Sequence, residues 1–199
     1  MLQYRFAATD SLVYEKTPES RVAPFTPSYR IEVSSLSDAD GVTSPQLPVA
    51  VDPLFDFQMR YGRLEVSNAF GPETFDLVVP FEVQYFESDA AGFRRHFADS
   101  CWQYDTSADV SLDQSDLSGG TTSVDGVSAT VDEGAPTSGG ELVLAAPGEG
   151  NRGDVPVTFA VPIWLQGDFD GSGALASPSG LATFGVYRGN DRVIYWQER

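Results

Sequence analysis

Near the C-terminal end, the stretch "WLQGDFDGSGALASPSG" (164–180) sets Asp168, Asp170, Ser172 and Gly173 at a spacing that can wrap a calcium ion. A calcium loop takes oxygen ligands at alternate positions, a glycine at the sixth for the sharp turn and a two-oxygen acid at the twelfth. The twelfth position here is Ser179, which cannot clamp an ion with two oxygens, so a helix–loop–helix calcium hand is rejected. Two readings stay open. One is a β-sandwich loop that binds Ca2+ weakly through Asp168, Asp170 and Ser172 with ligands borrowed from elsewhere. The other is a plain polar turn, since Asp and Gly build turns without any ion. A shorter echo, "SDADG" (37–41), offers Asp38 and Asp40 after a strand.

Catalytic chemistry has little to work with. His96 is the only histidine, and no G-x-S-x-G elbow occurs, so a histidine on a strand surface is expected there. Cys101 is the only cysteine and lies among acids, which is the wrong setting for a reactive thiolate. It is expected to be buried as a small hydrophobe, or else to pair outside this chain. One Cys and one His cannot supply the usual zinc ligands. A carboxylate pair for glycoside hydrolysis is always available among 29 acids, but nothing singles one out. No phosphate-cradling or dinucleotide glycine motif is present. The chain is expected to be no enzyme. Trp164 and Trp196 could stack on sugar rings if they line a groove, against the plainer expectation that Trp102, Trp164 and Trp196 pack in the core or in a hairpin.

Charge narrows the partners. The 199 residues carry a formal net charge of −17, with Lys16 the only lysine beside eleven arginines. Nucleic acid and anionic membrane would repel such a chain, whereas cations would not. The composition suits either a protein of salty surroundings or an acidic secreted one. No apolar stretch is long enough for a transmembrane helix, so no membrane insertion is expected. The opening "MLQYRFAATD" lacks a signal-peptide pattern, so an exported protein would be represented here by part of its length.

The elements that must position these residues are strands. Period-two alternation recurs in "YRIEVSSL" (29–36), "FQMRYGRLEVS" (57–67), with Gly62 as a bulge or bend, and "FDLVVPFEVQYFES" (75–88), which Pro80 splits or confines to an edge. It recurs in "GFRRHF", "GVSATVD", "GELVLAAP" and "DVPVTFAVPIWL", and the closing "LATFGVYRGNDRVIYWQ" predicts a C-terminal β-hairpin. "VTSPQLPVAVDP" (42–53) is expected to separate an N-terminal strand group (1–45) from a β-sandwich domain (54–199). "DTSADVSLDQSDLSGGTTSVDG" (105–126) is expected to be a long, exposed polar loop. The fold class is all-β: an antiparallel sandwich of immunoglobulin-like character.

Several of these blocks, in this order, resemble the C-terminal region of the MSHA biogenesis protein MshQ and related large surface proteins. They are "YRFAATDSLVYEKTPESRVAPF" (4–25), "RYGRLEVSNAFGPETFDLVVPFEVQYF" (60–86), the "DSC" at 99–101, "LVLAAPGEGNRGDVPVTFAVPIWL" (142–165), "GDFDGSG" (167–173) and "ATFGVYRGNDRVIYWQE" (182–198). The resemblance implies a non-enzymatic structural or adhesive module at the bacterial cell surface. It would be linked to the mannose-sensitive haemagglutinin type IV pilus, with pilus or cell-surface components as partners. A carbohydrate-binding β-sandwich with a calcium-stabilised loop is the alternative expectation, with glycans as the partner.

Overall fold

The computed structural model describes residues 14–27, 30–37, 39–51 and 57–185. The strands are short: β1 Ile31–Val33, β2 Val49–Val51, β3 Gly62–Val66, β4 Ala69–Gly71, β5 Leu77–Val79, β6 Phe81–Ser88 and β7 Gly92–Arg95. There follow β8 Gln103–Asp105, one helical turn α1 Thr106–Asp109, β9 Val110–Leu112, β10 Ser128–Asp132 and β11 Ala135–Pro136. The last are β12 Leu142–Leu144, β13 Gly153–Phe159, a 3-10 turn Ile163–Leu165 and β14 Ser179–Phe184. The all-β class therefore stands. The strands form five small sheets, ordered β1-β2, β11-β10-β8, β12-β5, β4-β14-β13-β9 and β3-β6-β7, rather than two broad ones. Among the described residues, all strand pairings are antiparallel except β4 with β14, where Ala69 lies opposite Ala182.

Alternation dictates which side chains meet. Leu64, Val66, Val79, Phe81, Val83, Leu142, Leu144, Val155, Val157, Phe159, Ala182 and Phe184 point inward and are almost fully buried, and with Tyr104 and Val131 they form one core across four of the sheets. At its centre Phe81 meets Trp102, Tyr104 and Phe159 edge-on, with ring centroids 6.3, 5.2 and 5.2 Å away. Such pairs add to what burial alone provides. Trp102 is thus a core residue.

Pro80 does what its chemistry requires. Having no N–H, it cannot continue a ladder, and the chain changes partner at this residue. β5 before it pairs with β12, and β6 after it pairs with β3 and β7.

Two sequence expectations need correction. Residues 105–126 are not a free polar loop. Asp105 caps α1 by accepting from the Ser107 and Ala108 amides, and β9 pairs with β13. Thr106 is buried and donates to the Asp125 carbonyl at 3.0 Å, while buried Thr122 donates to the Ala145 carbonyl at 2.6 Å. Widely spaced apolar residues (Val110, Leu112, Leu117, Val124) press onto the core. They are too sparse to register as a pattern, yet sufficient to pin the segment. The second correction concerns Cys101, which is exposed. Two further expectations meet the structure only in part. The proline-rich stretch 42–53 contains β2, which pairs with β1. Of the C-terminal hairpin, the first run lies in β14, and the turn and second run lie outside the described residues.

Candidate functional site

The loop that follows β13 carries the residues singled out for chemistry. An isolated bridge between Gly167 and Ala176 closes its base. Within it, the Ser172 amide donates to Asp170 Oδ1 at 3.0 Å, and the Gly173 amide donates to Asp168 Oδ2 at 3.3 Å. Hydrogen bonds from Ser172 hold the exposed Asp170 carboxyl below its ordinary pKa. Two of the three expected ligands are therefore engaged in the turn itself. The exception is Asp168 Oδ1, which is buried and accepts no hydrogen bond. A buried carboxylate oxygen without a donor is costly. Among the described residues, no group of three His, Cys, Asp or Glu side chains gathers around one point. The echo at 37–41 keeps a turn, with Asp40 exposed; Asp38 lies outside the described residues.

Trp164 sits in the 3-10 turn and is 48% exposed, so it is available for stacking; Trp196 lies outside the described residues. Trp164 lines a groove of about 310 Å³ together with Tyr14, Lys16, Met59, Arg60, Tyr61 and Gly62. The groove is made jointly by the start of β3, the 3-10 turn and the N-terminal segment 14–27. That segment contacts the sheet β3-β6-β7 at the start of β3 and at Phe93. Phe25 and Met59 exchange backbone hydrogen bonds of 3.1 and 2.8 Å, and the Tyr61 hydroxyl donates to the Thr17 carbonyl at 3.0 Å. Beneath it, Tyr61, Phe86 and Phe93 form a second small aromatic cluster, with Phe93 6.2 Å from Tyr61 and 5.5 Å from Phe86. Arg63 stacks over Phe93 at 3.9 Å, and Arg21 lies over the same ring at 5.6 Å.

Lys16 is the residue the sequence did not flag beyond its being the only lysine. Its ammonium donates to the carbonyls of Gly62 at 2.5 Å, Trp164 at 3.5 Å and Gln166, and it lies 4.5 Å above the centre of the Tyr61 ring. Burial, and secondarily the nearby Arg63 charge, pulls its pKa down to about 8, so at neutral pH it still carries its charge. Burial also pushes the Tyr61 phenol up.

The other titratable candidates are structural. His96 follows β7, half-buried, with its ring 5.5 Å from Tyr85; burial first and Arg60 second lower its pKa. The Cys101 thiol donates to Asp99 Oδ1 at 3.3 Å, and that hydrogen bond to a carboxylate is the main cause of its raised pKa. A thiol so held is a poor nucleophile. Asp99 itself is buried and also accepts from the Cys101 and Trp102 amides, fixing the turn into β8.

The sequence profile of the fourth domain of DUF6701 matches residues 60–199. The chain belongs to the DUF6701 family. Tyr61, Gly62, Trp164, Gln166 and the 168–173 loop all fall inside the DUF6701 domain, whereas Tyr14, Lys16 and Phe25 precede it. No curated protein and no solved structure matches the chain.

Proposed function

We propose that this chain is a non-enzymatic structural or adhesive β module of an exported, MshQ-like protein associated with MSHA type IV pilus biogenesis or surface adhesion. The observation that carries the reading is the ordered series of blocks resembling that family's C-terminal region, most of which fall within the DUF6701 match at 60–199. Small sheets gathered on one core suit a sandwich-like, load-bearing module, and a net charge of −17 suits a soluble surface. The test is localisation in the host. Immunogold labelling and cell fractionation should place the protein at the cell surface or among exported proteins, and its deletion should lower piliation or adhesion. Recovery from cytosol alone, with normal piliation in the deletion strain, would sink the proposal.

The second reading is a carbohydrate-binding module with a calcium-stabilised loop. The exposed Trp164 and the orphaned Asp168 Oδ1 favour it. On this reading millimolar Ca2+ raises the melting temperature above that in chelator at matched ionic strength. Asp168→Asn abolishes the rise, and Trp164→Ala removes binding on a glycan array while leaving the melt unchanged. A melt that responds equally to sodium chloride is charge screening and leaves no case for the ion.

A further inference from the structure

The groove beside Trp164 is built around a single chemical demand. A primary ammonium has three N–H donors and no acceptor, and here three backbone carbonyls, from Gly62, Trp164 and Gln166, converge on one such group. The face of Tyr61 supplies a fourth, cation–π contact at 4.5 Å. Tyr14 and Trp164 stand along the same groove. Gly62 is part of the design, because a Cβ there would lie 3.3 Å from the Trp164 carbonyl oxygen and 3.9 Å from Leu165 Cδ2. A side chain at 62 would make the Trp164 carbonyl give way by a few tenths of an ångström, disturbing one of the three acceptors. An arginine would not serve in place of the lysine, since its flat fork is shaped for two parallel acceptors rather than three converging ones.

We propose that this groove is a primary-ammonium binding site, to which the chain presents Lys16 as a tethered ligand. The receptor residues lie in the DUF6701 domain and the ligand lies in the segment before it. The site therefore fastens the domain to the polypeptide that leads into it. Emptying the cradle removes three hydrogen bonds and one cation–π contact between segment 14–27 and the sheet, so Lys16→Ala weakens that contact even though water can reach the carbonyls it leaves.

The test is chemical rescue. Thermal melts are recorded for the wild type and Lys16→Ala in n-butylammonium chloride and, at equal ionic strength, in tetramethylammonium chloride, a cation with no N–H donor. Tryptophan fluorescence is followed in the same samples, with Trp164→Phe variants assigning the part of the signal that comes from the groove. The expected result is a lower melting temperature for Lys16→Ala that butylammonium raises by several degrees with a saturating Trp signal. Tetramethylammonium should raise it far less, and the wild type should show no difference between the two salts. Lys16→Met keeps the stem but loses the donors; it should melt lower than wild type and not respond to the amine, because its own side chain occupies the channel. Equal shifts with both salts would overturn the proposal, since they report only screening of the acidic surface. So would equal shifts in wild type and Lys16→Ala.

Discussion

His96 illustrates how a lone titratable residue is shaped by packing rather than by catalysis. Its ring lies against Tyr85, Arg60 stacks over the Tyr85 ring at 4.8 Å, and burial makes the charged imidazolium unfavourable. The sign of its linkage follows. With a folded pKa below the ordinary 6.5, the folded chain binds fewer protons than the unfolded chain as pH falls past that value. Stability from this residue is therefore complete above about pH 6.5 and is lost on acidification. His96→Gln is expected to flatten the decline in melting temperature between neutral and mildly acid pH; an unchanged slope would show the imidazole to be indifferent to folding. The sequence did single out His96, Cys101 and Asp168 for scrutiny, reading the first two as structural and the third as a candidate ion ligand. It could not foretell that Asp99 would hold the thiol, or that one oxygen of Asp168 would go without a donor. Both depend on where the chain turns, and no residue type encodes that by itself.

Elements were legible in proportion to how much of their stability is local. The alternation in 29–36, 57–67 and 75–88 marks β1, β3 and β6, and Pro80 marks the change of sheet. Strands of two or three residues, such as β4 and β9, exist because long-range partners hold them, and they leave no period to read. The hairpin between β10 and β11 is local instead, and too short to show a period. Its turn uses Glu133 at φ 50° and Gly134 at φ 74°, both in the left-handed region. The glycine is required twice over, since a Cβ there would lie 2.6 Å from the His96 carbonyl oxygen. Glu133 is the costly member, because a branched-off side chain in this region is strained by about 1–2 kcal/mol. The contacts it makes are through its backbone, to the Ser100 hydroxyl and Arg95. Glu133→Asn keeps those contacts and suits the left-handed region, so it is expected to raise unfolding stability by about 0.5–1 kcal/mol in urea titrations. A loss of stability would mean that the carboxylate makes a contribution larger than the strain.

At the scale of the whole molecule, sequence separation is what hid the candidate site. Lys16 reaches carbonyls 46, 148 and 150 residues away, and no local window contains both the donor and its acceptors. The all-β class survived the comparison with structure because it rests on alternation that recurs along the whole chain, so no single strand decides it. The arrangement of five small sheets rests on pairings that composition does not specify. The parallel pairing of β4 with β14 has a bearing on the order of events in time. Its neighbouring hydrogen bond, from the Leu181 amide to the Asn68 side chain, joins residues 113 positions apart. A chain emerging end-first, from a ribosome or through any pore, must hold β4 without its partner until nearly all of the described polypeptide has appeared. Closing so large a loop is slow, so the sheet β4-β14-β13-β9 is completed late. Until then the inward-facing Ala69, Leu77 and Val79 depend on something other than the finished protein to keep them from the wrong neighbour.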